Sequence, residues 1–88
     1  MRSGPLVSIL VPTSRPWLWP WLKENVIEQQ TYLNTETIVV NGHSMSIGQK
    51  RNACLEEATG DYVDWFDDDD WQHPEKIERL VAAAQGTG

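Results

Sequence analysis

Hydrophobic and polar positions alternate along this chain between two kinds of pattern. Short apolar runs rich in β-branched or aromatic residues predict strands over 6–11, 36–41 and 62–66. Apolar residues spaced three and four apart predict helices over 17–30, 46–60 and 74–85. The order β-α-β-α-β-α predicts an α/β fold. We expect a minimal Rossmann-like unit with a three-stranded parallel sheet in the order second, first, third strand.

Capping and proline signals set the predicted helix boundaries. Ser46 followed three residues later by Gln49 predicts a capping box at the start of the second helix. Gly60 stands where a C-cap glycine belongs. Pro20 is tolerated only in the first turn of a helix, so the first helix is expected to start near Trp17.

Residues spaced three and four apart along the second helix form a stripe that is predicted to be buried. Lys50 lies beside this stripe and is expected at the surface, whereas Arg51 lies on it, which argues against a merely solvated basic face. The predicted buried stripe comprises Ile47, Arg51, Cys54, Leu55 and Ala58.

Composition narrows the possible functions. The chain has 88 residues, a formal net charge of -6 and a pI of about 4.6, so it lacks the positive charge that neutralises nucleic-acid phosphates. A single cysteine, Cys54, cannot form an internal disulfide and is interpreted as a small buried hydrophobe. The apolar run 6–11 is too short for a membrane span or a signal sequence. We therefore expect one cytoplasmic domain that binds no nucleic acid.

Four consecutive carboxylates, Asp67 to Asp70, follow the third predicted strand. Open α/β sheets bind ligands at the carboxyl ends of their strands. In an extended stretch, Asp67 and Asp69 would face one crevice and the other two aspartates would face elsewhere. Two such carboxylates suit a partly hydrated Mg²⁺ or Mn²⁺. The alternative is that acidic residues favour the N-terminus of the next helix by about 0.3 to 1 kcal/mol, which accounts for one or two aspartates but not four.

Three stretches together resemble a known family: "VSILVPTSRP", "TIVVNG" and "IGQKRNACLEEATGDYVDWFDDDDWQHPEKIERL". They are similar to the nucleotide-binding half of the family 2 glycosyltransferases, whose fold is called GT-A. The most specific parts are "KRN", "GDYV", and the aspartate run followed by Trp71 and "HPEK". The resemblance implies that residues 1–88 form a single, truncated GT-A domain that binds a nucleotide-sugar.

The resemblance also implies a donor site, with a UDP-sugar favoured. Its metal, Mn²⁺ or Mg²⁺, is assigned to Asp67 and Asp69 within a DXD motif that spans residues 67–69. Asn41 stands where the family usually has an aspartate that accepts a hydrogen bond from the base. The implied nucleotide-sugar-binding residues are Pro12, Thr13, Arg15, Asn41, Arg51, Asp67 and Asp68.

Catalysis by this chain alone stays open at the level of sequence. In the family, the acceptor site and the catalytic base lie beyond the helix that follows the DXD motif, so no base is assigned. His43 and His73 are expected in a turn and at a helix entry. The alternative function is a non-catalytic binding or assembly module.

Aromatic residues predict association with a partner. Trp17, Trp19 and Trp21 are two residues apart, so one helix face cannot bury all three. A three-stranded sheet also has two open edges. We expect self-association, or docking on an acceptor half.

Overall fold

The computed structural model describes residues 4–42 and 44–86, and its strands form one parallel sheet. The strands are β1 (Val7–Thr13), β2 (Thr35–Asn41) and β3 (Tyr62–Trp65). Their order is β2-β1-β3, so β1 is central. The predicted α/β fold and strand order are confirmed.

The first helical segment is irregular, and the other two helices are regular. A 3-10 turn leads into a short α-helix, which widens into a π-helical turn, and the segment ends three residues before the predicted position 30. Pro20 lies in the first turn of α1, as predicted. The helical elements are the 3-10 turn Pro16–Leu18, α1 (Trp19–Leu22), the π turn Lys23–Ile27, α2 (Ile47–Glu57) and α3 (Lys76–Gly86).

The two faces of β1 are both covered, which explains its almost continuous apolar sequence. One face contributes to a core cluster, and α2 packs against β1 and β2. Trp19 packs against this cluster, while Trp17 and Trp21 are 66% and 41% exposed. The prediction that the three tryptophans cannot all be buried is therefore confirmed. The cluster comprises Val7, Ile9, Val11, Leu22, Val26, Phe66, Ile77 and Val81.

The start of α2 agrees with the prediction made from the sequence, but its end does not. The Ser46 hydroxyl accepts from the Gln49 N–H at 3.1 Å, and the Gln49 side chain accepts from the Ser46 N–H at 2.8 Å, so the capping box is confirmed. The C-cap prediction for Gly60 is wrong, because Ala58 caps the helix in an extended conformation and Gly60 has no positive φ. Gly60 instead lies against the backbone of β1.

The predicted buried stripe of α2 is also partly wrong. Lys50 and Cys54, four residues apart, face the sheet and are buried, whereas Ile47, Arg51 and Leu55 are exposed. The first turn of α2 lies beside the loop after β1, where Lys50 donates to the Ser14 hydroxyl. The buried face of the helix therefore differs from the one that hydrophobicity alone selects. Burial raises the pKa of the Cys54 thiol, which fits its interpretation as a core residue.

Gln30 fixes the chain that follows the aspartate run. Its buried side-chain amide donates to the His73 carbonyl at 2.9 Å and accepts from the Ile77 N–H at 3.2 Å. The His73 ring accepts from the Glu75 N–H at 3.0 Å, so His73 is a helix-entry residue as predicted. His43 lies outside the described residues.

Glu36 joins β2 to the loop that precedes β3. Its carboxylate accepts from the Ser8 hydroxyl at 2.5 Å and from the Thr59 N–H and hydroxyl at 2.7 and 2.8 Å. The Ser8 hydroxyl, followed by the Thr59 N–H, lowers the pKa of Glu36 below its ordinary value of 4.5.

We expect Glu36→Gln to lower the free energy of unfolding at pH 7. Because the pKa of Glu36 is lower in the folded chain, the carboxylate stabilises the fold above its unfolded pKa, and this contribution is lost as the pH falls through the folded pKa. Urea denaturation of both proteins at pH 7 and pH 3 should show a gap that shrinks at low pH. An equal gap at both pH values would contradict the prediction.

Candidate functional site

Polar side chains converge at the carboxyl edge of the sheet. The end of β1, the loop after it, the first turn of α2 and the aspartate run after β3 enclose a pocket of about 270 Å³. We call it the acidic pocket. It is lined by Pro12, Ser14, Arg15, Ile47, Lys50, Asp67, Asp68 and Asp69.

Asp68 is the buried centre of this edge. Its carboxylate accepts from the Thr13 hydroxyl at 2.6 Å and from the Arg15 guanidinium at 2.5 and 3.3 Å. Burial disfavours the charged form of Asp68, but hydrogen bonds from Arg15 and Thr13 outweigh it, so its pKa lies below the ordinary value. Asp68 therefore holds the ends of β1 and β3 together as a carboxylate.

Arg15 supplies a cation that relieves repulsion within the aspartate run. Its guanidinium also reaches Asp69 at 3.1 Å, and its backbone N–H donates to the Thr13 hydroxyl at 2.9 Å. The hydrogen bonds to Asp68, and then to Asp69, raise the pKa of Arg15. Part of the negative charge of the run is thus balanced within the chain.

The aspartate run forms a turn, so the extended geometry assumed for it is wrong. The Asp70 N–H donates to the Asp67 carbonyl at 3.3 Å. Asp67 and Asp69 nevertheless line one pocket, and both are exposed. Among the residues that the structure describes, no three His, Cys, Asp or Glu side chains are grouped so that they could hold a metal ion. A metal here would need ligands beyond these side chains.

Three residues implied by the resemblance do not line the acidic pocket: Thr13, which holds Asp68, and Arg51 and Asn41. Arg51 is exposed, and its guanidinium carbon lies 5.8 Å from the centroid of the Trp65 ring. Arg51 and Trp65 line a wider neighbouring pocket of about 650 Å³, which shares Asp67 with the first. Asn41, at the end of β2, is in register with Thr13 but lines neither pocket.

Lys50 and Ser14 are members of the acidic pocket that the sequence analysis missed. Lys50 was expected at the surface, yet it is only 4% exposed and donates to the Ser14 hydroxyl. The signal that could have found it is its spacing of four residues from Cys54, which was correctly interpreted as buried.

Asp64 is a buried carboxylate on the face of β3 that packs against α3. It pairs with the Lys76 ammonium at 3.0 Å, and that ammonium also lies 4.7 Å from the centroid of the Phe66 ring. The other carboxylate oxygen of Asp64, Oδ2, has no hydrogen-bond partner among the described residues. Asp64 does not line the acidic pocket.

Fold and pocket together define the class of this protein: a Rossmann-like α/β unit with a charged pocket at the carboxyl edge of its parallel sheet. Residues 46–88, which contain α2, β3, the aspartate run and α3, match the family model of glycosyl transferase family 2. An uncharacterized glycosyltransferase of Haemophilus influenzae is 32% identical over 59 residues. The resemblance carried by the motifs is confirmed, since both matches support a family 2 glycosyltransferase segment in this chain.

The match to the Haemophilus influenzae protein covers 67% of this chain and 20% of that relative. The chain thus spans about a fifth of the length of the curated relative it matches. None of the helices within residues 4–42 and 44–86 is long and apolar enough to cross a membrane. The cytoplasmic location stays a prediction.

Proposed function

We propose that the acidic pocket binds the diphosphate portion of a nucleotide-sugar donor, with a UDP-sugar favoured, together with Mn²⁺ or Mg²⁺. The observation that supports this most is the convergence of Arg15, Lys50 and three aspartates at the carboxyl edge of a family 2 glycosyltransferase sheet. At about 270 Å³ the pocket lies below the range of about 300 to 1,000 Å³ usual for small-molecule sites, so it suits a diphosphate better than a whole donor.

The side chains present fit a divalent cation. Asp67 and Asp69 offer hard oxygen ligands in one pocket, although Asp69 also pairs with Arg15 at 3.1 Å, whereas the buried Asp68 is held by both Thr13 and Arg15. One or two carboxylates completed by substrate phosphates and water is a common arrangement for Mg²⁺. A cation bound there would supply positive charge to the diphosphate oxygens of the leaving group.

The described residues bind and position the donor. Transfer of the sugar to an acceptor requires further groups. Asp68 keeps Thr13 and Arg15 in place, and Arg15 presents its guanidinium at the rim of the pocket. Glycosyl transfer would be direct displacement at the anomeric carbon by an acceptor hydroxyl. The general base for this step is not assigned to any residue of this chain.

A second candidate function is an assembly module, with or without catalysis. Trp17 is largely exposed, and so are Tyr62 and Val63 on β3. The described part of the chain pairs β3 with β1 only, so the outer edge of β3 is open. Sedimentation velocity at micromolar concentration tests this candidate, since a strict monomer would contradict self-association.

Calorimetric titration with UDP, in the presence and absence of Mn²⁺, tests the donor proposal. We expect binding that depends on Mn²⁺, and we expect Asp69→Ala to weaken it by at least about tenfold, or about 1.4 kcal/mol, because a carboxylate ligand is lost.

Asp70→Ala is the matched control for this titration. It removes the same charge from the same turn, and Asp70 lines the wider neighbouring pocket but not the acidic pocket. The control should therefore keep the dependence of UDP binding on Mn²⁺. Equal losses in the two variants would show a general charge effect, and the absence of binding to UDP, GDP and dTDP would refute the donor proposal.

A further inference from the structure

Among the residues that the structure describes, Lys50 is a buried cation with no acidic partner. It is 4% exposed, and the hydrogen bond recorded for its ammonium goes to the neutral Ser14 hydroxyl. The ion pairs among the described residues involve Arg15, Lys23, Lys76 and Arg79, and none involves Lys50. A buried charge is costly unless it is paired, and a lysine ammonium has three N–H donors to satisfy.

The position of Lys50 indicates what would balance its charge. It lines the acidic pocket together with Ser14 and residues of the aspartate turn. It also lies in the first turn of the eleven-residue helix α2, where the helix dipole favours negative charge. An anion in this corner would meet the ammonium, the Ser14 hydroxyl and the positive end of the helix together.

Arg51, the neighbouring cation, is poorly placed for the same task. It is exposed, stacks near Trp65 and lines the wider pocket instead. The resemblance implied that Arg51 binds the nucleotide-sugar, but the acidic pocket contains Lys50 and not Arg51. The two adjacent basic residues thus face different spaces.

We propose that Lys50 and Ser14 form the phosphate-binding corner of the acidic pocket. This inference rests on the proposed donor function for its biological ligand. Its chemistry, an ammonium and a hydroxyl that bind phosphate oxygens, can be tested with pyrophosphate alone. Asp67 and Asp69, the proposed metal ligands, line the same pocket.

The test compares Lys50→Met with Arg51→Met, because both remove one positive charge from adjacent positions of α2. UDP and pyrophosphate are titrated calorimetrically in the presence of Mn²⁺, and uridine serves as the probe that lacks phosphate. We expect Lys50→Met to weaken UDP and pyrophosphate at least tenfold and Arg51→Met to weaken pyrophosphate less than threefold. Thermal unfolding checks both folds, and Ser14→Ala, with a smaller expected loss, replaces Lys50→Met if that variant does not fold.

The outcomes separate this inference from the donor proposal. Binding of UDP that survives Lys50→Met but is lost in Arg51→Met would overturn the role of Lys50 and leave the donor proposal intact. Binding of pyrophosphate that requires Lys50, without binding of any nucleotide, would support the phosphate corner and refute the donor proposal. Failure of the unaltered protein to bind either probe would overturn both.

Discussion

Phe66→Ala is expected to lower the free energy of unfolding by about 3 to 5 kcal/mol, the usual cost of truncating a buried phenylalanine. Phe66 is 0% exposed and belongs to the core cluster, and its N–H donates to the Leu10 carbonyl at 3.0 Å. Native domains are stable by about 5 to 15 kcal/mol, so this loss is a large share of the total. Urea denaturation followed by circular dichroism measures it.

Trp71→Ala is the control for this prediction. Trp71 is 59% exposed on the far side of the aspartate run, so its removal should change stability by only about 0.5 kcal/mol. Similar losses in the two variants would show that Phe66 is not the residue that anchors β3. Because Phe66 directly precedes Asp67, the same experiment tests whether the core holds the acidic pocket in place.

The fold was predictable because burial leaves a pattern in the sequence. The central strand β1 is covered on both faces, and its nearly continuous apolar run reflects this. The capping box of Ser46 and Gln49 was predictable for a similar reason, since both partners lie within one helical turn. Local signals of this kind need no knowledge of distant residues.

The parts of the site that sequence reasoning missed depend on distant contacts. Arg15 and Asp68 are 53 residues apart, and nothing in either segment shows that the two side chains meet. Lys50 was assigned to the surface because a lysine beside an apolar stripe is usually solvated, yet it is buried and donates to the Ser14 hydroxyl. Periodicity gives the relative directions of side chains on a helix, but tertiary packing decides which direction faces the sheet.

For the aspartate run, the predicted position was correct and the predicted local geometry was wrong. Its place at the carboxyl end of β3 followed from the order of elements, and that placement holds. The alternation of its side chains did not hold, because the run turns at Asp67 instead of continuing as a strand. Arg15 then takes the role of counter-cation for Asp68 and Asp69, which no pattern within the run could indicate.

Gly60→Ala is expected to destabilise the fold by about 1 to 3 kcal/mol, the usual cost of overpacking. A Cβ at position 60 would lie 2.8 Å from the Leu6 carbonyl oxygen and 2.8 Å from the Ser8 nitrogen. Both are backbone atoms next to or within the central strand, so neither can move aside cheaply. The Gly60 N–H also donates to the Ser8 hydroxyl at 2.8 Å, and a displaced residue 60 would weaken that bond.

Gly48→Ala is the matched control, and its expected effect has the opposite sign. Gly48 lies within α2, and the nearest atom to an added Cβ is the Ser46 hydroxyl oxygen at 3.9 Å. Alanine there should stabilise the helix by up to about 1 kcal/mol. Since about 1 kcal/mol shifts the Tm of a domain this size by about 4 to 8 °C, thermal unfolding resolves the two directions. A rise in Tm for both variants would mean that the backbone around Gly60 has room for a side chain, and that glycine is not required where the chain enters β3.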